Sequence, residues 1–396
     1  MFARAEPPPP KDPIGVSLYV HVPFCAIKCG YCDFNSYVVR DQSVHVRFLE
    51  ALDAELRMAW HGGVPVSAFI GGGTPSLLDP PVLERLFEIL EQRTRISRCG
   101  EVTMEANPES LTREKAAIAV AGGVSRLSLG VQSFSDEILR FLDRPHDADR
   151  ARRAVRDARD AGVENLSLDL IFAVPGETLE VWERDLASAL DLSPDHLSCY
   201  GLTYEPGTRL TLALKRGSAR PSGEGEERAM FVRTRELLAR AGFSPYEISN
   251  FAGRGGPCRH NDHYWLQGNY VGVGPGASSH RDGVRGTNLK AVESWASAID
   301  AGLPPTASAE TLGPWQRAGE ALWLGLRRTT GLDLEAVEKR LGIPVRQGLA
   351  EILARHEARG NLERAGSVVR LTDQGLLVAD RVGADFLLPE APDADR

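Results

Sequence analysis

No apolar run in this 396-residue chain approaches the roughly 18 residues that a bilayer-crossing helix needs. The opening MFARAEPPPPKDP is Pro-rich without an apolar core, which predicts neither a signal peptide nor an anchor. Stable membrane insertion is therefore not expected, and the expected location is the cytoplasm. Cysteine is scarce: of six, three are clustered, and Cys99, Cys199 and Cys258 are scattered, so they do not make a disulfide framework. Excess positive charge is missing too. The 46 Lys and Arg against 54 Asp and Glu leave a net charge of -8, so no nucleic-acid partner is expected beyond what a small local basic patch would allow. No internal repeat is visible beyond an alternation of strands and helices, and low-complexity sequence is confined to the termini.

What is present is the composition of a folded globular protein, with 42% hydrophobic and 25% charged residues. From residue 17 to about 252, short β-branched or apolar runs alternate with longer amphipathic ones. Strands are expected at SLYVHVP, VSAFIGG, EVTMEAN, RLSLGVQS, NLSLDLIFA and HLSCYGLT. Helices are expected between them, including Val44 to His61, Pro80 to Glu91, Arg113 to Ala121, Ala148 to Ala161 and Leu179 to Leu190. Six such units predict an α/β fold, an incomplete (β/α)6 barrel of the TIM type. The expected organisation is a disordered tail over 1–16 and the barrel over 17–252. A Gly-, aromatic- and His-rich loop region with a linker follows over 253–308. A small, mainly α, winged-helix-like domain over 309–387 and a tail over 388–396 complete it.

The polar residues gather at one end of this pattern. Cys25 to Cys32, Gly71 to Thr74, Glu105 with Asn107, Gln132 and Asp169 all fall at or just beyond the C-terminal ends of successive strands, where β/α barrels build their active sites. HVPFCAIKCGYCDFNS places Cys25, Cys29 and Cys32 at C-x3-C-x2-C spacing. Three thiolates could bind zinc, yet a structural zinc site takes four protein ligands and no fourth Cys or His lies in the loop. On a 4Fe-4S cube three cysteines leave one iron open to a small ligand. An unmetallated loop of thiols is the remaining reading. FIGGGTPSLL adds three glycines after a strand, exposing backbone polar groups to a small ligand.

These residues resemble the radical S-adenosylmethionine (SAM) superfamily, whose defining loop is C-x3-C-x2-C. The resemblance implies a radical SAM barrel and a 4Fe-4S cluster held by Cys25, Cys29 and Cys32, with SAM on the open iron. It implies that Gly72, Gly73 and Thr74 lie against the amino end of SAM beside Glu105. It also implies that Arg144 grips the SAM carboxylate, that Gln132 and Asp169 meet the ribose, and that Tyr19 and Tyr31 pack on the adenine.

YVHVPFCAIKCGYCDFNS, GGGTPSLL, EANPESLT, RLSLGVQSF and SPDHLSCYGLTYEPGT are similar to the oxygen-independent coproporphyrinogen III oxidase family, specifically its HemW-like haem chaperone branch. ALWLGLRRTTGLDL is similar to the small domain that follows the barrel there. The oxidases carry a further Cys two residues after the third cluster cysteine, where this chain has Phe34, and a long N-terminal extension, whereas only 24 residues precede Cys25. Coproporphyrinogen oxidase activity is accordingly not expected, while reductive cleavage of SAM is left open. HNDHYW, His260 to Trp265, matches the H-N-x-x-Y-W motif of the chaperone branch. This implies haem as a third cofactor, with His260 as iron ligand, His263 as its substitute and Cys258 as a nearby thiol. The implied partner is a haem-acceptor protein of unknown identity, such as a membrane-associated respiratory protein. The chain departs from the family pattern at LDRPH and at Phe172 and Ala173, with Arg144 and Asp169 retained.

Overall fold

The computed structural model describes residues 15–39 and 41–387; the two expected tails fall almost entirely outside the described residues. The six expected strands are present: β1 (Val16–Val22), β2 (Ala68–Gly72), β3 (Val102–Ala106), β4 (Arg126–Gln132), β5 (Asn165–Phe172) and β6 (His196–Gly201). They pair in parallel and in sequence order. The crossovers include α1 (Gln42–Ala59), α2 (Pro80–Thr94), α3 (Arg113–Ala121), α4 (Ala148–Asp160) and α5 (Leu179–Asp191). Four of these helices start where a side-chain oxygen accepts a free backbone N–H: Asp41, Thr112, Asp147 and Thr178.

Each strand alternates sharply. Leu18, Val20 and Val22 of β1 point outward and are fully buried against the helices, as are Ile70, Met104, Leu127, Leu129, Leu166 and Leu168 on the following strands. Phe48, Leu52 and Leu56 of α1 join the same core. Each such side chain contributes roughly 1.5–3 kcal/mol when removed from water. The intervening residues, such as Ser17, Glu105, Ser128, Ser167, Asp169 and Ser198, lie on the opposite face of their strands and line the barrel interior. The interior is thus polar and ready for a ligand, unlike the apolar side-chain layers that usually fill a closed barrel.

The region expected to be loop and linker is built differently. Within 253–308, β7 (Asn269–Val273) pairs in parallel with β1 and adds a seventh parallel strand. The strands β8 (Ser278–Arg281), β9 (Val284–Asn288) and β10 (Thr306–Thr311) then extend the sheet in antiparallel fashion, so the expected linker is an edge strand. Glu55 of α1 fixes this addition, accepting from Gly274 N at 2.7 Å and Asn288 Nδ2 at 2.6 Å. Beyond β6 the short strand Asn250–Ala252 pairs antiparallel and the two-residue strand Ser244–Pro245 takes the edge, so among the described residues the sheet does not close.

Two helices matter for the site. The helix α6 (Arg259–Trp265) carries HNDHYW. The helix α7 (Pro314–Gly325) opens the C-terminal unit, which has its own core of Leu322, Leu334, Leu353, Val369 and Phe386. The unit also holds a hairpin, Leu362–Ala365 against Val368–Leu371.

Candidate functional site

A cavity of about 620 Å³ occupies the barrel from the cysteine loop downward. Cys25, Cys29 and Cys32 converge on its mouth as free thiols, with Tyr31 and Phe34 beside them. The loop is held from below. Gly73 N donates to Val22 O and Thr74 N to Phe24 O, and a Cβ on Gly73 would stand 2.5 Å from Val22 O and 2.7 Å from Phe24 O. Only glycine allows this close approach of two backbones. Thr74 Oγ1 donates to Cys25 Sγ at 3.5 Å, and Asn107 Nδ2 donates to Thr74 Oγ1 at 2.9 Å.

Arg144 reaches across the mouth. Its guanidinium donates to Asn107 Oδ1 at 2.6 Å, Gly130 O at 2.8 Å and Cys29 Sγ at 3.5 Å. Its Nε is buried without a partner. A β-bulge between Leu129 and Gln132, with Gln132 at φ +67°, interrupts the regular register of β4 just where Gln132 meets the cavity. Glu105 accepts from Gly72 N at 2.9 Å, and burial pushes its carboxyl up to about 7. Asp169 is likewise raised by burial, although Ser128 donates to it at 2.9 Å. Burial also raises the Cys25 thiol, and the Cys32 thiol to about 11.

The expected residues Tyr31, Gly72, Gly73, Thr74, Glu105, Gln132, Arg144 and Asp169 therefore share one cavity with the three cysteines. Tyr19 does not line it. Its hydroxyl is hydrogen-bonded to His21 Nδ1 at 2.8 Å and its ring packs on Phe69. Two aromatic residues that the sequence reading does not name line the cavity, Phe69 and Tyr200, the latter 40% exposed. The alternation HLSCYG was the available signal, since it puts Tyr200 on the same face as Ser198.

His260 is not brought to the cysteines. It lies at the opposite, N-terminal end of the strands, on α6, which plugs the barrel floor. The ring is 1% exposed, with Nδ1 bonded to Ser67 Oγ and Nε2 to Tyr264 Oη, both at 3.0 Å, and Phe69 tilted beside it. Burial pushes this imidazole down to about 3, so it is neutral. His263 is also buried, its Nε2 donating to Asn269 O at 2.7 Å. Cys258 is buried with its thiol 3.5 Å from Glu101. As folded, the expected haem ligand offers no free ring nitrogen. Only Asn261 of this helix lines the cavity.

The donor set fits the cofactors that the motif implies. Among the described residues no three His, Cys, Asp or Glu side chains converge on a single ion position. Cysteines that each take a different iron of a cube need not do so. Arg144 Nε is a buried donor without a partner, and burial raises the Glu105 and Asp169 carboxyls; a polar ligand in the cavity would give all three a further partner.

The radical SAM superfamily model matches residues 19–189, and the HemN C-terminal domain model matches residues 312–378. The protein named heme chaperone HemW of Bacillus subtilis is 34% identical over 375 residues, covering 94% of this chain and 99% of the relative. Its namesake in Mycobacterium tuberculosis is 36% identical over 380 residues, 95% of each chain. A Danio rerio protein named radical S-adenosyl methionine domain-containing protein 1, mitochondrial, is 34% identical over 335 residues, 82% of this chain and 75% of the relative. In fold, the chain matches the solved coproporphyrinogen III oxidase (HemN) of Escherichia coli with a TM-score of 0.81 at 22% identity, over 94% of this chain and 90% of that one. No helix among the described residues is long and apolar enough to cross a membrane. The three-cysteine mouth and the near-full-length identity lead to one conclusion: the chain belongs to the radical SAM superfamily and, within it, to the family of the proteins named heme chaperone HemW.

Proposed function

We propose that this chain is a cytoplasmic haem chaperone that holds a three-cysteine 4Fe-4S cluster with SAM and passes haem to an acceptor protein, such as a membrane-associated respiratory protein. The observation that carries this reading is the 34–36% identity over 94–95% of the chain to relatives named heme chaperone HemW. Phe34 supports it: 57% exposed at the mouth, it stands where the oxidases have a further thiol.

Cys25, Cys29 and Cys32 hold the cluster, leaving one iron for SAM. Arg144, fixed in orientation by Asn107 and Gly130, presents its unpartnered edge to the SAM carboxylate. Glu105 faces the amino end over the opening left by Gly72, Gly73 and Thr74, and gives up its proton to accept from the ammonium. Gln132 and Asp169 accept from ribose hydroxyls, and Tyr31 closes the mouth against water. When bound, the cluster and SAM supply one-electron chemistry. His260, a neutral imidazole, would be the iron ligand for haem once a ring nitrogen is freed, and Tyr264 and Trp265 would offer flat faces to the macrocycle.

Haem titration of the anaerobically reconstituted protein tests the reading. Saturable binding with a Soret band that His260→Ala weakens is the expected result. No haem binding, or robust decarboxylation of coproporphyrinogen III with release of 5'-deoxyadenosine, overturns it.

A further inference from the structure

The haem reading leaves a physical conflict, because the proposed ligand is one of the most enclosed side chains in the molecule. The conflict locates a control point. Short as it is, α6 is held from two sides. From the barrel, Glu101 caps its first turn, accepting from Arg259 N at 3.0 Å and His260 N at 3.1 Å, while Ser67 holds the His260 ring. From the C-terminal unit, its last turn is held by charges.

Arg328, just beyond α7, donates to Asp262 through Nε at 2.7 Å and Nη2 at 3.3 Å, a two-pronged pair with both side chains largely shielded from solvent. Arg327 lies 4.9 Å from the centre of the Trp265 ring and also faces Glu247. Arg340 donates to Leu266 O at 3.2 Å and Gln267 Oε1 at 2.9 Å. The last turn of α6 is therefore tied to a unit with its own separate core. Movement of such a unit as a body about its interface is a general route of switching.

We infer that the C-terminal unit is a latch on the haem ligand: Arg328 and Arg327, acting through Asp262 and Trp265, hold α6 in the barrel floor, and haem reaches His260 when this docking is released. The inference rests on the haem chaperone reading and names the regulation of that same site. Arg327 and Arg328 are positioning residues in this scheme. Tyr264, the partner of His260 Nε2, leaves with the last turn and frees the nitrogen that an iron needs. Its ring, now 4.6 Å from that of Tyr270, then becomes available to the macrocycle together with Trp265. A closed resting state keeps a neutral imidazole from taking up adventitious metal. A partner that pulls on the C-terminal unit would open the site where haem is to be loaded or handed over.

The test uses the full chain and two readouts, one of them independent of haem. In the haem-free protein, Arg328→Ala should speed hydrogen exchange across 259–266 while leaving the strands of the barrel protected. In stopped-flow mixing with haem, the same variant should raise the association rate about tenfold, in line with loss of a charge-assisted hydrogen-bonded pair. The Soret position should remain that of wild type. The charge swap Asp262→Arg with Arg328→Asp should restore slow exchange and slow association, which a general loss of stability would not allow; it also serves if Arg328→Ala does not fold. Adding His260→Ala to Arg328→Ala should abolish the gain.

Unchanged exchange and rate in Arg328→Ala, with His260→Ala still weakening haem, overturns the latch and leaves the haem reading standing. A gain that survives His260→Ala likewise overturns the latch. Absence of haem binding by both wild type and Arg328→Ala removes the reading on which the latch depends, and the latch with it.

Discussion

The two ends of the barrel handle polar groups in opposite ways. At the mouth, side chains are left with spare capacity: three thiols outside any disulfide, an Arg144 Nε without a partner, and two carboxyls that burial raises. At the floor, Glu101 accepts three contacts and both nitrogens of His260 are taken. Buried polar groups cost free energy unless paired. The mouth therefore carries a cost that a ligand relieves, and the floor has relieved its own internally. The mouth is built to receive; the floor is built to stay shut until something outside it moves.

The strongest way to break this comparison is to move the metal question from one end to the other. Cys29→Ser at the mouth should reduce iron bound after anaerobic reconstitution to background, along with the broad visible absorbance of the cluster. Cys258→Ser at the floor should leave both unchanged, its thiol being committed to Glu101. Equal loss in the two variants would mean that the ends do not differ as described.

A smaller effect concerns the proton on Glu105. With its carboxyl raised to about 7, the ligand-free protein is mostly protonated there below that pH. Accepting from a SAM ammonium requires the carboxylate, so binding releases a proton. Affinity should fall as pH drops below about 7, by up to about tenfold per unit, and level off above it. The ratio of wild-type to Glu105→Gln affinity, from calorimetry at several pH values, isolates this group from the titration of SAM itself. A ratio independent of pH removes Glu105 from the amino end.

The same contrast separates what the chain reveals in one dimension from what it conceals. The six central strands and the cavity residues at their C-terminal ends follow from local pattern, because each parallel strand is a contiguous run and its polar tip is adjacent to it in sequence. The strand β7 was hidden: NYVGVGPG is short and Gly-rich, and its partner β1 lies some 250 residues earlier, so nothing local distinguishes it from loop. The edge strand β10 is exposed along its length and carries no apolar period. HNDHYW offers a histidine as a type of ligand, yet its burial depends on Ser67, Tyr264 and the C-terminal unit. A histidine's two hydrogen-bond partners cannot be read from its neighbours in sequence.

The smallest effect sharpens the comparison within a single face of the barrel. Tyr19 and Tyr200 both stand on inward-facing positions, and the sequence resemblance puts Tyr19, together with Tyr31, on the adenine. The structure places Tyr200 on the cavity and ties Tyr19 to His21 and Phe69. Replacing a stacking aromatic by an aliphatic residue costs about 0.5–1.5 kcal/mol beyond the area lost, which corresponds to roughly two- to tenfold in affinity. Tyr200→Leu should therefore weaken SAM binding by several-fold with little change in melting temperature. Tyr19→Phe, which deletes only the hydroxyl bonded to His21, should lower stability by about 1 kcal/mol and leave SAM affinity as it was. The reverse pattern would put the adenine on β1, deeper in the barrel and closer to the floor. The separation of a receptive mouth from a sealed floor would then have to be redrawn around Tyr19.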